Sequence, residues 1–102
     1  GVNNTTPPSP SLFIIALGEK AKEASFTLLH TLRKQNISAE MDFSTRKLGK
    51  VMQYANQIGA HNVAVIGDQE LESSQIKLKN MESGEETLIS LDDLPNTLNK
   101  EF

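Results

Sequence analysis

The sequence predicts an α/β domain of three layers, in which helices cover both faces of a five-stranded mixed sheet. Two short apolar runs, at 12–17 and 63–66, are typical of strands buried on both faces. A segment with helical periodicity follows the first run, another precedes the second, and an alternating hairpin comes later. The predicted order is therefore β-α-β-α-β-β-β-α, with right-handed crossovers between the parallel strands.

The first strand is predicted over 12–17, and Gly18 separates it from a helix over 19–35. The helix is expected to bury residues at helical spacing, with Leu29 at the edge of that stripe. The expected stripe consists of Ala21, Ala24, Ser25, Leu28 and Leu32. Phe26 lies off the stripe, as a flank of the core or as a docking point for the rest of a larger protein.

The segment 37–42 alternates apolar and polar residues, which predicts a strand with one wet face near the sheet edge. A second helix is predicted over 45–58, and Gly59 is suited to end it. Its expected buried stripe is Leu48, Val51, Met52, Ala55 and Ile58. Its expected outer side carries Arg46, Lys50, Gln53 and Gln57.

The third strand is predicted over 62–66, and the polar residues 68–74 are expected to form a turn or one short helical coil. The segment 75–81 alternates again, and Ser83-Gly84 should turn the chain into a partner strand over 86–90. The last segment has leucines at helical spacing, and Pro95 predicts that its helix begins no earlier than about Asp92.

Composition bounds the function. One chain of 102 residues, 37% hydrophobic and 23% charged, is the size and balance of a single globular domain. The absence of Cys excludes disulfides and thiolate chemistry, and an intracellular, reducing setting is expected. No apolar stretch is long enough to cross a membrane, and there is no signal-peptide pattern. A net charge of −3 and a pI near 5.3 disfavour a charge-driven nucleic-acid binder, but not a module that reads a few unstacked bases.

Residues 1–11 are expected to be a tail, because three prolines among Ser, Thr and Asn cannot build a core. Gly1 in place of Met suggests a cleaved chain or a piece of a longer protein. The tail is interpreted as a flexible linker between domains, with a ragged native terminus as the alternative. The domain itself is predicted over 12–102.

The search for catalytic or metal-binding patterns is negative. No Gly-rich phosphate loop follows Gly18, and His30 and His61 form no ligand pair, so no catalytic residue and no metal site are predicted. The acidic cluster 68–72 is interpreted as a solvated turn. Ligands of open α/β sheets bind beyond the carboxyl ends of the parallel strands. Those ends lie at 17–19, 42–45 and 66–68, and the outward-facing lysines of the hairpin border the same area.

Three segments together resemble a known family. They are A-E-M-D-x-x-x-R-K-L-G-K from Ala39, Y-A-x-x-x-G-A-x-x-V-A-V-I-G-D-x-E-L from Tyr54, and I-K-L-K-x-x-x-S-G-E-E from Ile76. In this order and spacing they are similar to the C-terminal anticodon-binding domain of class II aminoacyl-tRNA synthetases, above all the histidyl enzymes. The resemblance covers about residues 11–102 and implies the same five-stranded sheet with three flanking helices.

The resemblance also implies contacts with splayed anticodon bases. Thr45 would bond a base edge, Glu70 would accept from base amino groups or a backbone donor, and Lys79 would pair with a phosphate or a base carbonyl. Backbone charge would come from the basic residues that follow the second strand. The complete expected RNA-binding set is Gly18, Glu19, Thr45, Arg46, Lys47, Lys50, Glu70 and Lys79. Gln53 and Gln57 depart from the family, where lysines are frequent, and make this helix less basic.

The resemblance implies that the parent protein is a cytoplasmic histidine–tRNA ligase, a homodimer without membrane contact. Its catalytic domain would use ATP and Mg²⁺, whereas this chain would hold no cofactor and would contact tRNA and that catalytic domain. Alternatives are the same domain of a threonyl, prolyl or glycyl enzyme, or an interaction or regulatory module that does not read RNA. The last would expose an apolar patch around Phe26 or Tyr54. A small-ligand α/β domain is a third class, disfavoured by the charged strand ends.

Overall fold

The computed structural model describes residues 10–42 and 47–100, and only the backbone of residues 99 and 100. The predicted fold class is confirmed: a five-stranded mixed sheet has helices on both faces. Its strands are β1 Leu12–Ala16, β2 Ala39–Asp42, β3 Asn62–Ile66, β4 Gln75–Asn80 and β5 Glu86–Ser90. Its helices are α1 Glu19–Lys34, α2 Leu48–Gln57, α3 Asp68–Ser73 and α4 Leu94–Lys100.

The strands lie in the order β2-β1-β3-β4-β5. β1 pairs in parallel with β2 and with β3, whereas β4 runs antiparallel to both β3 and β5. The predicted edge position of β2 is therefore confirmed, and β5 forms the other edge. Every residue of β1 is buried, as expected for a central strand covered on both sides.

One face of the sheet, here called the first face, packs against α1 and α4. Its core cluster includes Leu32 of α1 and Leu94 and Leu98 of α4, all with no exposed area. On α1 the buried residues are Ala21, Ser25, Leu29 and Leu32. The predicted stripe was therefore wrong at two positions, because Ala24 and Leu28 are half-buried beside α4, and Leu29, expected at its edge, is buried instead.

The other face, here called the second face, packs against α2 alone. Its core cluster joins Phe13 of β1 and Val63 of β3 to Val51 and Ala55 of α2. Leu48 was wrongly predicted to be buried, since it is 45% exposed and the α2 contribution to the core begins at Val51. The helix also begins at Leu48 rather than near residue 45, with an extended backbone at the preceding residue.

The polar residues after β3 form α3, a six-residue helix and thus a fourth helix beside the three main ones expected. The predicted hairpin is confirmed, and Asn80 organises its turn by accepting from the backbone N–H groups of Glu82 and Ser83 at 2.8 and 3.0 Å. Gly84 has a φ of 80°, a conformation that glycine adopts without strain. The last helix is preceded by a 3-10 turn, and Pro95 lies in its first turn, where the missing N–H costs nothing.

Candidate nucleic-acid interface

On the second face, a groove lies beside α2 and over β3, β4 and β5, and it is called the β3–β5 groove below. Its volume is about 290 Å³, at the small end of the range of ligand-binding pockets. The floor and one wall are apolar, and the opposite side is polar and charged. The lining residues are Met52, Val63, Val65, Gln69, Glu70, Lys77, Lys79 and Glu86.

Glu70 is fixed at the mouth of this groove by its own helix. Its Oε1 atom accepts from the backbone N–H of Gly67 at 2.7 Å, so the carboxylate closes the first turn of α3. A Cβ atom at Gly67 would lie 3.2 Å from the same oxygen, tighter than ordinary contact. Each carboxylate oxygen has two lone pairs, so Glu70 keeps acceptor capacity for a ligand.

The lysines of the groove come from β4, which alternates between the two faces. Ile76 and Leu78 are buried on the first face, so Lys77 and Lys79 point to the second face. Lys79 is half-buried and lies in register between Val63 of β3 and Glu86 of β5. The groove therefore places ammonium donors, carboxylate acceptors and an amide around an apolar floor, the combination needed to hold and read a base edge.

A positively charged helix end lies on the same face. Lys47 is the N-cap of α2, Lys50 lies in its first turn, and both are exposed. No acidic residue occupies that turn, and the Lys47 side chain makes no capping hydrogen bond. Because the N-terminus of a helix already carries partial positive charge, the two lysines add to a field that attracts phosphate.

Six of the eight predicted RNA-binding residues are described by the structure, and they lie in three places: the groove, the start of α2 and the junction between β1 and α1. Glu70 and Lys79 meet in the β3–β5 groove. Lys47 and Lys50 lie at the start of α2, outside the lining of that groove. Thr45 and Arg46 lie outside the described residues, so their roles stay predictions.

Gly18 and Glu19 do not line the groove. They lie where β1 passes into α1, beside the carboxyl end of the parallel strand β3. A hydrogen bond of 2.9 Å from the Leu17 N–H to the Ile66 carbonyl joins the two strand ends just before them. Glu19 begins α1, which packs on the first face, and its contact with RNA stays a prediction.

Three polar residues of the groove were absent from the predicted set: Gln69, Lys77 and Glu86. Lys77 had only been predicted to border the area beyond the carboxyl ends of the parallel strands. The predicted Ser83-Gly84 turn did not place Glu86, because a two-residue turn there would put Leu88 opposite Lys79. The structure instead closes the hairpin across residues 81–84, which puts Glu86 opposite Lys79. Gln69 was also missed, because its place in the groove requires the helical form of α3.

The two aromatic residues around which an interaction module would expose an apolar patch lie on different helices. Phe26 is 46% exposed on α1 and Tyr54 is 42% exposed on α2, but these helices cover opposite faces of the sheet. The Tyr54 ring also packs edge-on against Phe13, with ring centroids 5.9 Å apart. The two aromatic residues therefore do not form one docking surface.

In the described ranges 10–42 and 47–100, no three His, Cys, Asp or Glu side chains are grouped so that they could hold a metal ion. None of the helices in that part of the chain is both long and apolar enough to cross a bilayer.

The fold agrees with a family comparison. A family model described as "Anticodon binding domain" matches residues 11–101. The chain belongs to this anticodon-binding domain family.

Histidine–tRNA ligases are among the relatives of this chain. The chain is 48% identical over 98 residues to the histidine–tRNA ligase of Protochlamydia amoebophila strain UWE25, covering 96% of this chain and 23% of that protein. It is 42% identical over 98 residues to the corresponding ligase of Caldanaerobacter subterraneus subsp. tengcongensis, covering 96% of this chain and 24% of that protein. The chain thus spans about a quarter of the length of the curated relatives that it matches.

Solved structures give the same result. The apo histidyl-tRNA synthetase of S. aureus matches with a TM-score of 0.84 and 40% identity, over 88% of this chain and 23% of that one. The RNA-binding domain of threonyl-tRNA synthetase from Cryptosporidium parvum Iowa II matches with a TM-score of 0.81 over 90% of this chain and 23% of that one. Its 17% identity supports a common fold alone.

Proposed function

We propose that this chain is the anticodon-reading domain of a histidine–tRNA ligase and that it carries no catalytic step itself. The observation that carries the proposal is the β3–β5 groove, in which Glu70 and Lys79 flank an apolar floor of Val63 and Val65. A base can lie on such a floor while its edge meets a carboxylate acceptor and an ammonium donor. The histidine assignment rests on the 48% and 42% identities to histidine–tRNA ligases.

The proposal divides the RNA contacts between two parts of the second face. Lys47 and Lys50 at the uncapped start of α2 hold phosphates and position the loop. The groove reads a base, because its two glutamates offset its two lysines and leave little net charge for a phosphate. The acidic pI of 5.3 fits this division, since base reading depends on placed hydrogen bonds rather than on total charge.

The remaining parts of the proposal concern the parent protein. It attaches histidine to its tRNA in a catalytic domain that binds ATP and Mg²⁺, works as a homodimer and resides in the cytoplasm. None of these properties is needed for the groove to read a base. They are tested on the full-length ligase by aminoacylation and by sedimentation.

The first test is an NMR titration of the chain with a histidine anticodon stem-loop and with a loop of scrambled anticodon. We expect the cognate loop to bind more tightly and to shift the resonances of Lys47, Lys50, Glu70 and Lys79. Stem-loops with threonine, proline and glycine anticodons separate the histidyl assignment from the related synthetases. Equal shifts with every loop would contradict base reading, and no shifts at all would favour a module that does not bind RNA.

The substitution Lys79→Ala sharpens this test. We expect it to lower the preference for the cognate loop by about tenfold, within the range of one good side-chain-to-base contact. The matched control is Lys34→Ala, which removes the same charge from an exposed site at the far end of α1. If Lys79 contacts a phosphate instead, Lys79→Ala should weaken the binding of both loops equally. The slope of the logarithm of the binding constant against the logarithm of salt concentration should then fall by about one.

A further inference from the structure

We propose that Glu86 is a specificity-determining residue of the β3–β5 groove, where it and Lys79 together select a guanine base. This inference rests on the proposed function and adds a residue and a ligand chemistry to it. Glu86 lines the groove and is the direct cross-strand neighbour of Lys79. Directly opposite residues on antiparallel strands have Cβ atoms about 4.5–5.5 Å apart, so both side chains can reach one small ligand.

The surroundings of Lys79 make Glu86 its nearest charged neighbour in the strand register. On the β3 side the residue in register with Lys79 is Val63, which is apolar and buried, and on the β5 side it is Glu86. In the described part of the chain, Lys79 and Glu86 do not close an ion pair on each other. Glu86 is exposed and Lys79 half-buried, so the carboxylate and the ammonium both remain accessible from the groove.

The paired charges define what the site can hold. A phosphate drawn to Lys79 would meet the like charge of Glu86, and Glu70 adds a second carboxylate to the lining of the groove. Phosphate therefore binds better at Lys47 and Lys50, where the α2 start has no acid in its first turn. A neutral base avoids that repulsion and can use both side chains at once.

The donor and acceptor order favours guanine among the bases. A lysine donates only, and an ionised glutamate accepts only. Guanine presents a carbonyl acceptor, O6, next to two donors, N1–H and the N2 amino group, so O6 can meet Lys79 while both donors meet the Glu86 carboxylate. Adenine presents an amino donor beside ring acceptors and offers no such pair of donors to a carboxylate. The apolar floor at Val63 and Val65 supports the flat ring of the bound base.

The test is Glu86→Gln in the 102-residue chain, with Glu85→Gln as the matched control. Both changes remove one exposed carboxylate and keep the side-chain size, but Glu85 lies outside the groove lining. We expect Glu86→Gln to weaken the cognate stem-loop about tenfold, because an amide cannot accept from two donors as a carboxylate does. Glu85→Gln should bind as the wild type does, and both variants should keep the wild-type thermal midpoint.

A base substitution completes the cycle. Each guanine of the loop is replaced in turn by inosine, which lacks only the N2 amino group. One of these replacements should weaken binding to the wild-type chain several-fold and have no further effect on Glu86→Gln. If every inosine replacement weakens the wild type and Glu86→Gln equally, Glu86 does not contact the N2 amino group, and the inference is overturned. It is also overturned if Glu86→Gln tightens the cognate and scrambled loops equally, because Glu86 then only repels RNA.

The two proposals fail in distinguishable ways. If the wild-type chain does not separate the cognate from the scrambled loop, base reading fails and the role of Glu86 falls with it. If the wild type separates them and Glu86→Gln does so equally well, only the role of Glu86 is lost.

Discussion

The two faces of the sheet differ in how completely helices cover them. On the first face, α1 and α4 enclose a core of fourteen buried residues among those described, drawn from four of the strands as well as the helices. On the second face the core cluster has six buried residues among those described, packed under α2, and the groove over β4 and β5 is bordered by α2 and by the start of α3. The difference suggests that the first face provides most of the stability, while the open part of the second face is available for a ligand.

Substitutions on one strand test this division directly. Ile76→Ala on β4 removes a fully buried side chain from the first face and should lower the free energy of unfolding by about 2–5 kcal/mol. Lys77→Ala is the neighbouring change on the second face and should alter it by no more than about 0.5 kcal/mol. Urea denaturation of both variants measures the contrast. Similar losses would mean that the open part of the second face is also structural.

The sheet was predictable because its signals are local. The apolar runs of β1 and β3 and the alternation in β2 and β4 each reveal how many faces of a strand are buried. Errors arose where periodicity alone cannot decide which residues of a helix face the sheet. Leu28 and Leu29 are both compatible with helical spacing, and only packing against the sheet and α4 decides that Leu29 is the buried one.

The groove was only half predictable, for a related reason. Glu70 and Lys79 were found through motif resemblance, although nine positions of sequence separate them. Their meeting depends on α3 turning the chain between two antiparallel strands. Glu86 depends in addition on the hairpin register, which a composition or a motif does not contain. Contacts between strands are therefore the information that the sequence pattern lacked.

The core of the first face contains a buried hydroxyl group, that of Ser25, which is expected to lower stability. Ser25 on α1 is fully buried, and its hydroxyl oxygen has no hydrogen-bond partner among the described residues. Because an unpaired buried hydroxyl is costly, Ser25→Ala should raise the free energy of unfolding by about 1 kcal/mol. Thermal unfolding monitored by circular dichroism measures the change. Ser25→Val is the control for space, and a loss of stability in the Ala variant would indicate that the hydroxyl is paired in solution.

The start of α2 provides the smallest expected gain in stability and the clearest separation of stability from binding. Lys47 is a poor N-cap, since its side chain makes no capping hydrogen bond and its charge opposes the helix dipole. Lys47→Asp should therefore raise the free energy of unfolding by about 0.5–1 kcal/mol. The same change should weaken cognate and scrambled stem-loops equally and reduce the salt dependence of binding, because it replaces a phosphate-binding charge with an acid.

Lys47→Ala separates the two effects, because it removes the charge without supplying a cap. It should weaken RNA binding less than the aspartate variant does, and it should not give the aspartate variant's gain in stability. If Lys47→Asp gains stability and leaves RNA binding unchanged, the α2 start does not contact the phosphate backbone, and the groove alone must account for affinity. If it instead changes the preference between cognate and scrambled loops, base reading extends beyond the groove to this helix. Both outcomes would revise the division of the second face into a phosphate-holding end and a base-reading groove.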